Sequence, residues 1–407
     1  VEDDMNRLTP VLLLPTMLLL VACQQAEQTP PPAPLPNGLL LGLATFESVD
    51  GRPVPQPAQL GMLTFADGEW TYRTLSDPDS NVLHKAMVWP AAPGGPGVVT
   101  AAGTRAIVRL WRPGADPVTL WEEDFGGKFS RMRDLEIADL YGDGAEALAV
   151  ATHDQGVVAV VRPDGEGGFT ATELDREPKT IVHEVEIGDL DGDGVLEIYA
   201  TPSLPNKLDG TPQPGQVVRY VPAAGEGRTV VADLGDRHAK EILVGDVDGD
   251  GRDELYASVD AVAGGRVRIL RYDAGTDPAE GREVTTIADT LCRFLTAGDV
   301  DGDGRLEMVA AAAKAGLWLL RPGATPEDRW TVTSIDRDSS GFEHAALLTD
   351  LDGDGVDELY VANDGGKEIN RYAWDGTGLA KTVLYTHPES FSGFTWNIMP
   401  CPVELMP

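Results

Sequence analysis

Four stretches of the chain gather carboxylates at a spacing suited to a hard divalent cation. In Gly245 to Leu255, Asp246, Asp248 and Asp250 stand at positions 1, 3 and 5. Gly251 at position 6 permits a tight turn, Arg252 offers its main-chain carbonyl from position 7, and Glu254 closes the set at position 9. All five donors are hard oxygens, the kind calcium prefers. The pattern recurs at Asp189, Asp191, Asp193, Val195 and Glu197, at Asp299, Asp301, Asp303, Arg305 and Glu307, and at Asp350, Asp352, Asp354, Val356 and Glu358. Four carboxylates in one short loop repel one another without a cation, so the expectation is about four structural calcium ions. A fifth copy is eroded. It keeps Asp139 and Asp143, but Tyr141 replaces the second Asp and Ala147 occupies position 9, so weak binding or none is expected there.

An EF-hand loop begins similarly, but it needs a bidentate Glu at position 12 and flanking helices. Position 12 here is Ala200, Ala257, Ala310 or Val361, and the flanks read as short apolar strands. Signals for catalysis are sparse. None of the six histidines sits in a His-Glu-x-x-His zinc pattern, and no Gly-x-Ser-x-Gly elbow is present. The net charge of -34 argues against a nucleic-acid partner, whose phosphates require Lys and Arg.

The elements that position the loops follow from their period. The first loop positions, 139, 189, 246, 299 and 350, lie 50, 57, 53 and 51 residues apart, a repeat length typical of stacked or radial architectures. Each unit reads as four short strands, A to D, with the acidic loop joining A to B; radially repeated four-stranded units make a β-propeller. Five units carry a loop. A sixth precedes them without one, its Trp89 standing 50 residues before Asp139. The N-terminal region supplies B, C and D strands at Leu39 to Phe46, Leu60 to Phe65 and Glu69 to Leu75, and the C-terminus supplies the missing A strand at Gly393 to Ile398. The predicted fold is therefore an all-β, seven-bladed β-propeller, its last blade closed by the C-terminal strand together with the N-terminal strands. Closure hides two open sheet edges.

Loops and period resemble the FG-GAP and VCBS repeats of integrin-α-like propellers over residues 38–407. In that family the A-to-B loop binds calcium, and the resemblance carries this role onto the four complete loops. The literal Phe-Gly and Gly-Ala-Pro signatures are not clear, so the similarity is architectural, and fold does not fix function.

Counting six residues back from each loop start gives Arg133, His183, Lys240, Arg293 and His344, all basic or titratable. With strand A lining the axis, these residues would ring the central channel on the face opposite the metals. Such a ring focuses field toward an anionic or sugar-like ligand; the alternative is that each bonds a neighbouring blade or pairs with an acid such as Asp134 or Glu184. Propellers with related repeats also occur in carbohydrate lyases. A binding or adhesion module and a polysaccharide lyase-like enzyme are thus the two functional expectations.

Residues 1–22 read as an export signal, with Arg7 before an apolar core. Leu20-Val21-Ala22-Cys23 resembles the lipobox of bacterial lipoproteins, which implies cleavage before Cys23 and lipid on its sulfur. Residues 23–37 then form a Pro-rich tether. The expected location is the bacterial cell envelope, as an outer-membrane lipoprotein facing the periplasm or the exterior. The lipid is its only membrane contact, and its ligand is a glycan or protein there. Cys292 and Cys401 are expected to stay unpaired.

Overall fold

The computed structural model describes residues 35–126, 130–204, 211–261, 265–325 and 328–407. The proposed signal, Cys23 and most of the tether lie outside these residues. Among the described residues every strand pairing is antiparallel, and every acidic loop is flanked by strands. Four sheets have four strands each in sequence order. One comprises Ile181–Gly188, Glu197–Ser203, Gln216–Val221 and Glu226–Asp233; the next comprises Ala239–Gly245, Glu254–Val259, Val267–Tyr272 and Arg282–Ile287. The other two start at Cys292–Gly298 and Ala346–Thr349.

An eight-stranded sheet combines two such groups, one beginning at Ser80–Trp89 and the other at Ser130–Ala138. They are stitched by the short pairing Gly103↔Arg131 and Thr104↔Ser130. The stitch depends on Gly103, because a Cβ there would lie 2.3 Å from Arg131 Cγ. In the remaining sheet, Asn37–Val49 lies between Gly393–Pro402 and Ala58–Ala66, followed by Glu69–Asp77, as the inventory of missing strands predicts.

The B strands are buried along their whole length, for example Glu254–Val259 and Glu307–Ala312, whereas D strands such as Thr331–Asp336 are largely open. This gradient is what face-to-face stacking of sheets around an axis requires, since an inner strand then has a neighbouring sheet on both sides. Each core lies between adjacent sheets: Ala149 and Val160 meet Val185, Ala200 and Val218. The continuous run Leu39-Leu40-Leu41 follows the same logic. Leu39 and Leu41 pack with Ala345 and Tyr360 of the last internal sheet, while Leu40 faces Leu83 and Val98 of the first. The two chain ends thus share one sheet wedged between the first and last units. Cys292 and Cys401 are buried free thiols.

Candidate functional site

Each acidic loop is an eight-residue turn bounded by a strand pair, Gly188↔Glu197, Gly245↔Glu254, Gly298↔Glu307 or Thr349↔Glu358. Glycines at positions 4 and 6 both take the left-handed conformation, as at Gly249 (φ 76°) and Gly251 (φ 89°), which a side chain disfavours. The position-1 carboxylate ties the turn: Asp246 Oδ1 accepts from Asp250 N at 2.9 Å and its Oδ2 from Gly251 N at 2.9 Å. Asp189, Asp299 and Asp350 do the same. The position-7 amides of Val195, Arg252, Arg305 and Val356 donate to the position-5 aspartates. Asp246, Asp248, Asp250 and Glu254 bring ligand oxygens within 4.8 Å of one another, as do the three aspartates of each other complete loop. These are hard oxygens around a common centre, the donor chemistry that fits calcium.

The position-9 glutamates depart from expectation in three loops. Glu197, Glu307 and Glu358 stand outside the aspartate clusters, each held by an arginine and two of them also by a buried tyrosine. Glu197 accepts from the Tyr199 hydroxyl and, at 2.6 Å, from Arg219 Nη1; Glu358 accepts from Tyr360 at 2.9 Å and from Arg371; Glu307 accepts from Arg321 Nε at 3.1 Å. Glu254 has equivalent partners in Tyr256 and Arg271, at 3.0 and 3.2 Å, yet stays with its aspartates. Burial pushes its carboxyl up to about 7. Position 8 carries a role that the repeat spacing did not reveal. Asp253 Oδ2 accepts Asp189 N at 2.8 Å and Asp357 Oδ2 accepts Asp299 N at 2.8 Å, so these two acids tie one loop to its neighbour. The eroded loop keeps the same turn hydrogen bonds, from Asp143 N and Gly144 N to Asp139.

At the opposite end of the A strands, Arg133, His183, Lys240 and Arg293 converge on one cavity of about 30 Å³, joined by Glu343, Glu241, Trp396 and others. Arg133 stacks on Trp396 at 4.7 Å and Arg293 on Phe342 at 5.1 Å. Both approach Glu343, at 3.6 and 3.9 Å, and Asp134, Glu184 and Glu241 line the same cavity. His183 is buried, with neither ring nitrogen hydrogen-bonded among the described residues. Burial, with the charges of Lys240 and Arg133, keeps the His183 imidazole well below its usual pKa and therefore neutral. Burial and then Arg293 depress Lys240 to about 7.

Lys85 lines this cavity too, among the carboxylates, and pairs with Asp134 at 3.2 Å and Glu136 at 2.6 Å. Burial and neighbouring carboxylates push Glu184, Glu186 and Glu241 well above the usual range. Several axial side chains also tie one unit to the next through backbone amides: Asp134 accepts Val185 N at 2.9 Å, Glu241 accepts Leu295 N at 2.9 Å, and Asn397 accepts Ala86 N at 3.0 Å.

His344 does not belong to the ring. It is fully buried, its Nδ1 donating to Ala312 O at 2.7 Å and its Nε2 accepting from Ser339 Oγ at 2.8 Å. Counting back six residues presumed that strand A had already begun there, but it begins at Ala346. Glu343 lines the cavity from this unit, so the expected cation is replaced by an anion.

A family model described as an FG-GAP-like repeat matches residues 139–200 and 246–310. No curated protein matches the chain. Among solved structures, the chain is similar to the periplasmic gluconolactonase PpgL of Pseudomonas aeruginosa, with a TM-score of 0.50 at 16% identity over 88% of this chain and 99% of that one. It is also similar to the Dos1 propeller, with a TM-score of 0.50 at 9% identity over 87% of each chain. Identities this low speak for the fold alone. The chain is a β-propeller that carries FG-GAP-like repeats.

Proposed function

We propose that this protein is an exported, lipid-anchored propeller of seven blades that uses calcium to order its A-to-B turns and recognises an anionic group of an envelope glycan or protein on its opposite face. Seven blades follow from counting the eight-stranded sheet as two units and the sheet shared by the chain ends as one. The four complete loops would hold calcium through their aspartates, with Glu254 as a further ligand in its own loop and the position-7 carbonyls of Val195, Arg252, Arg305 and Val356 completing the shells. The anchor rests on the lipobox-like residues before Cys23.

One observation carries the recognition reading: the convergence of Arg133, Lys240 and Arg293 on a small axial cavity beside His183, whose ring nitrogens have no hydrogen-bond partner among the described residues. Ordinary small-molecule pockets measure roughly 300 Å³ or more, so a cavity of about 30 Å³ admits a carboxylate or sulfate head group and leaves any sugar ring outside. The guanidinium planes are already fixed by Trp396 and Phe342, which limits the ordering cost of binding.

Calorimetric titration with sulfate and with a glucuronate-containing oligosaccharide tests this. Binding is expected in wild type and is expected to weaken about tenfold or more in Arg133→Gln/Lys240→Met/Arg293→Gln. The protonated Lys240 is the binding form, so affinity should fall as pH rises through about 7. Equal affinity in a folded triple variant would sink the idea. The second reading, a polysaccharide lyase-like enzyme, draws on Lys240, since an amine that deprotonates near neutrality beside two arginines suits proton abstraction. Unsaturated sugar products in the same samples would favour it.

A further inference from the structure

The arginines that reach the acidic turns recur too regularly to be incidental ion pairs. In every complete loop one third-strand arginine bridges the position-3 aspartate and the position-9 glutamate: Arg219 joins Asp191 to Glu197, Arg271 joins Asp248 to Glu254, Arg321 joins Asp301 to Glu307, and Arg371 joins Asp352 to Glu358. They do so from two registers. Arg219, Arg271 and Arg371 stand opposite the tyrosine at position 11, whereas Arg321 follows Leu320, which pairs with Met308. The contact is kept although the strand position that supplies it changes.

Turns that lack the acidic set keep an arginine as well. In the eroded loop Arg162 bonds Asp143 at 2.7 Å and stacks at 4.5 Å on Tyr141, the residue replacing the position-3 aspartate. In the first unit, whose turn has no acids, Arg112 donates to the turn carbonyls Pro93 O at 2.6 Å and Gly95 O at 2.8 Å. A guanidinium therefore organises these turns where a cation site is incomplete or absent.

Resting on the reading that the complete loops take a divalent ion, we propose that Arg219, Arg271, Arg321 and Arg371 are resident cations that compete with that ion for the position-3 and position-9 carboxylates. Each turn then keeps its shape when metal is scarce, and each site binds more weakly than its carboxylates alone would. The physical basis is direct: a carboxylate oxygen in a charge-assisted bond to arginine has less charge to offer a metal, and the guanidinium repels the incoming ion.

Calcium calorimetry and terbium luminescence on the full protein test this with Arg321→Gln and Arg371→Gln. These arginines are 30% and 32% exposed, so replacement opens no core cavity. The inference expects about tenfold tighter ion binding at the altered site and a lower melting temperature in chelator. Unchanged or weaker binding by a folded variant overturns it. Arg321→Lys keeps the charge and should bind within about twofold of wild type; a tenfold gain there would also overturn the inference. A variant that folds only with calcium is loaded first and then titrated with chelator, and release at the wild-type chelator concentration counts against the competition. Wild type that binds neither calcium nor terbium would remove this inference together with the metal reading, whereas wild type that binds and variants that bind no better would remove the inference alone.

Discussion

Removing residues 393–407 is expected to abolish cooperative folding and leave an aggregating chain. The deleted strand pairs with Asn37–Thr45 along its length and is the innermost strand of the sheet that both chain ends build. Its loss exposes Leu39, Leu41 and Leu43, which are fully buried in the intact protein, and removes the buried Ile398 and Cys401. Burial of each large apolar side chain contributes about 1.5–3 kcal/mol, so a handful of them matches the entire stability of a typical domain, about 5–15 kcal/mol. The deletion also takes away Asn397, which holds Ala86 N of the first unit, and Trp396, which packs against His84 and Arg133. What remains is an unpaired, strongly apolar edge, a template for association with other chains. Size-exclusion chromatography and a thermal melt decide the matter; a monomer melting cooperatively within a few degrees of the intact protein would show that closure is dispensable.

Chelation should produce the second large effect. An ion that binds only the folded state adds about 2.7 kcal/mol per site at a hundredfold excess over its Kd, and four loops carry the aspartate cluster. For a chain of this size even two such sites correspond to roughly 5–10 °C in melting temperature. Calorimetric melts in millimolar calcium and in chelator should differ by at least that much, and Asp248→Ala should remove part of the difference. The arginines described above moderate the loss, because each turn retains one cation when the metal leaves. Coincident melts would mean that carboxylate repulsion is already relieved within the protein.

Much of this architecture was legible in the sequence because the acidic loops serve as rulers. Asp246, Asp248, Asp250 and Gly251 are local, their geometry is set within one turn, and their repetition gave the unit length from which the strands were placed. The closing strand at Gly393 is legible because the N-terminal strands lack their innermost partner. What escaped was decided between units or across strands. The capture of Glu197, Glu307 and Glu358 depends on arginines some 13 to 22 residues away, supplied from two registers that no fixed spacing describes. Asp253 and Asp357 stand at position 8, outside the ligand pattern, and their task is to hold the neighbouring unit's loop. His344 misled because the chain before Ala346 is irregular, which shifted the residue facing the axis to Glu343.

Whether ions sit between the first two strands of successive units is addressed directly by native mass spectrometry of the protein, stripped with chelator and returned to calcium. Four bound calcium ions are predicted, one for each complete loop, and three in Asp246→Ala. A protein that stays folded in millimolar calcium and carries no ion at all would contradict the metal reading.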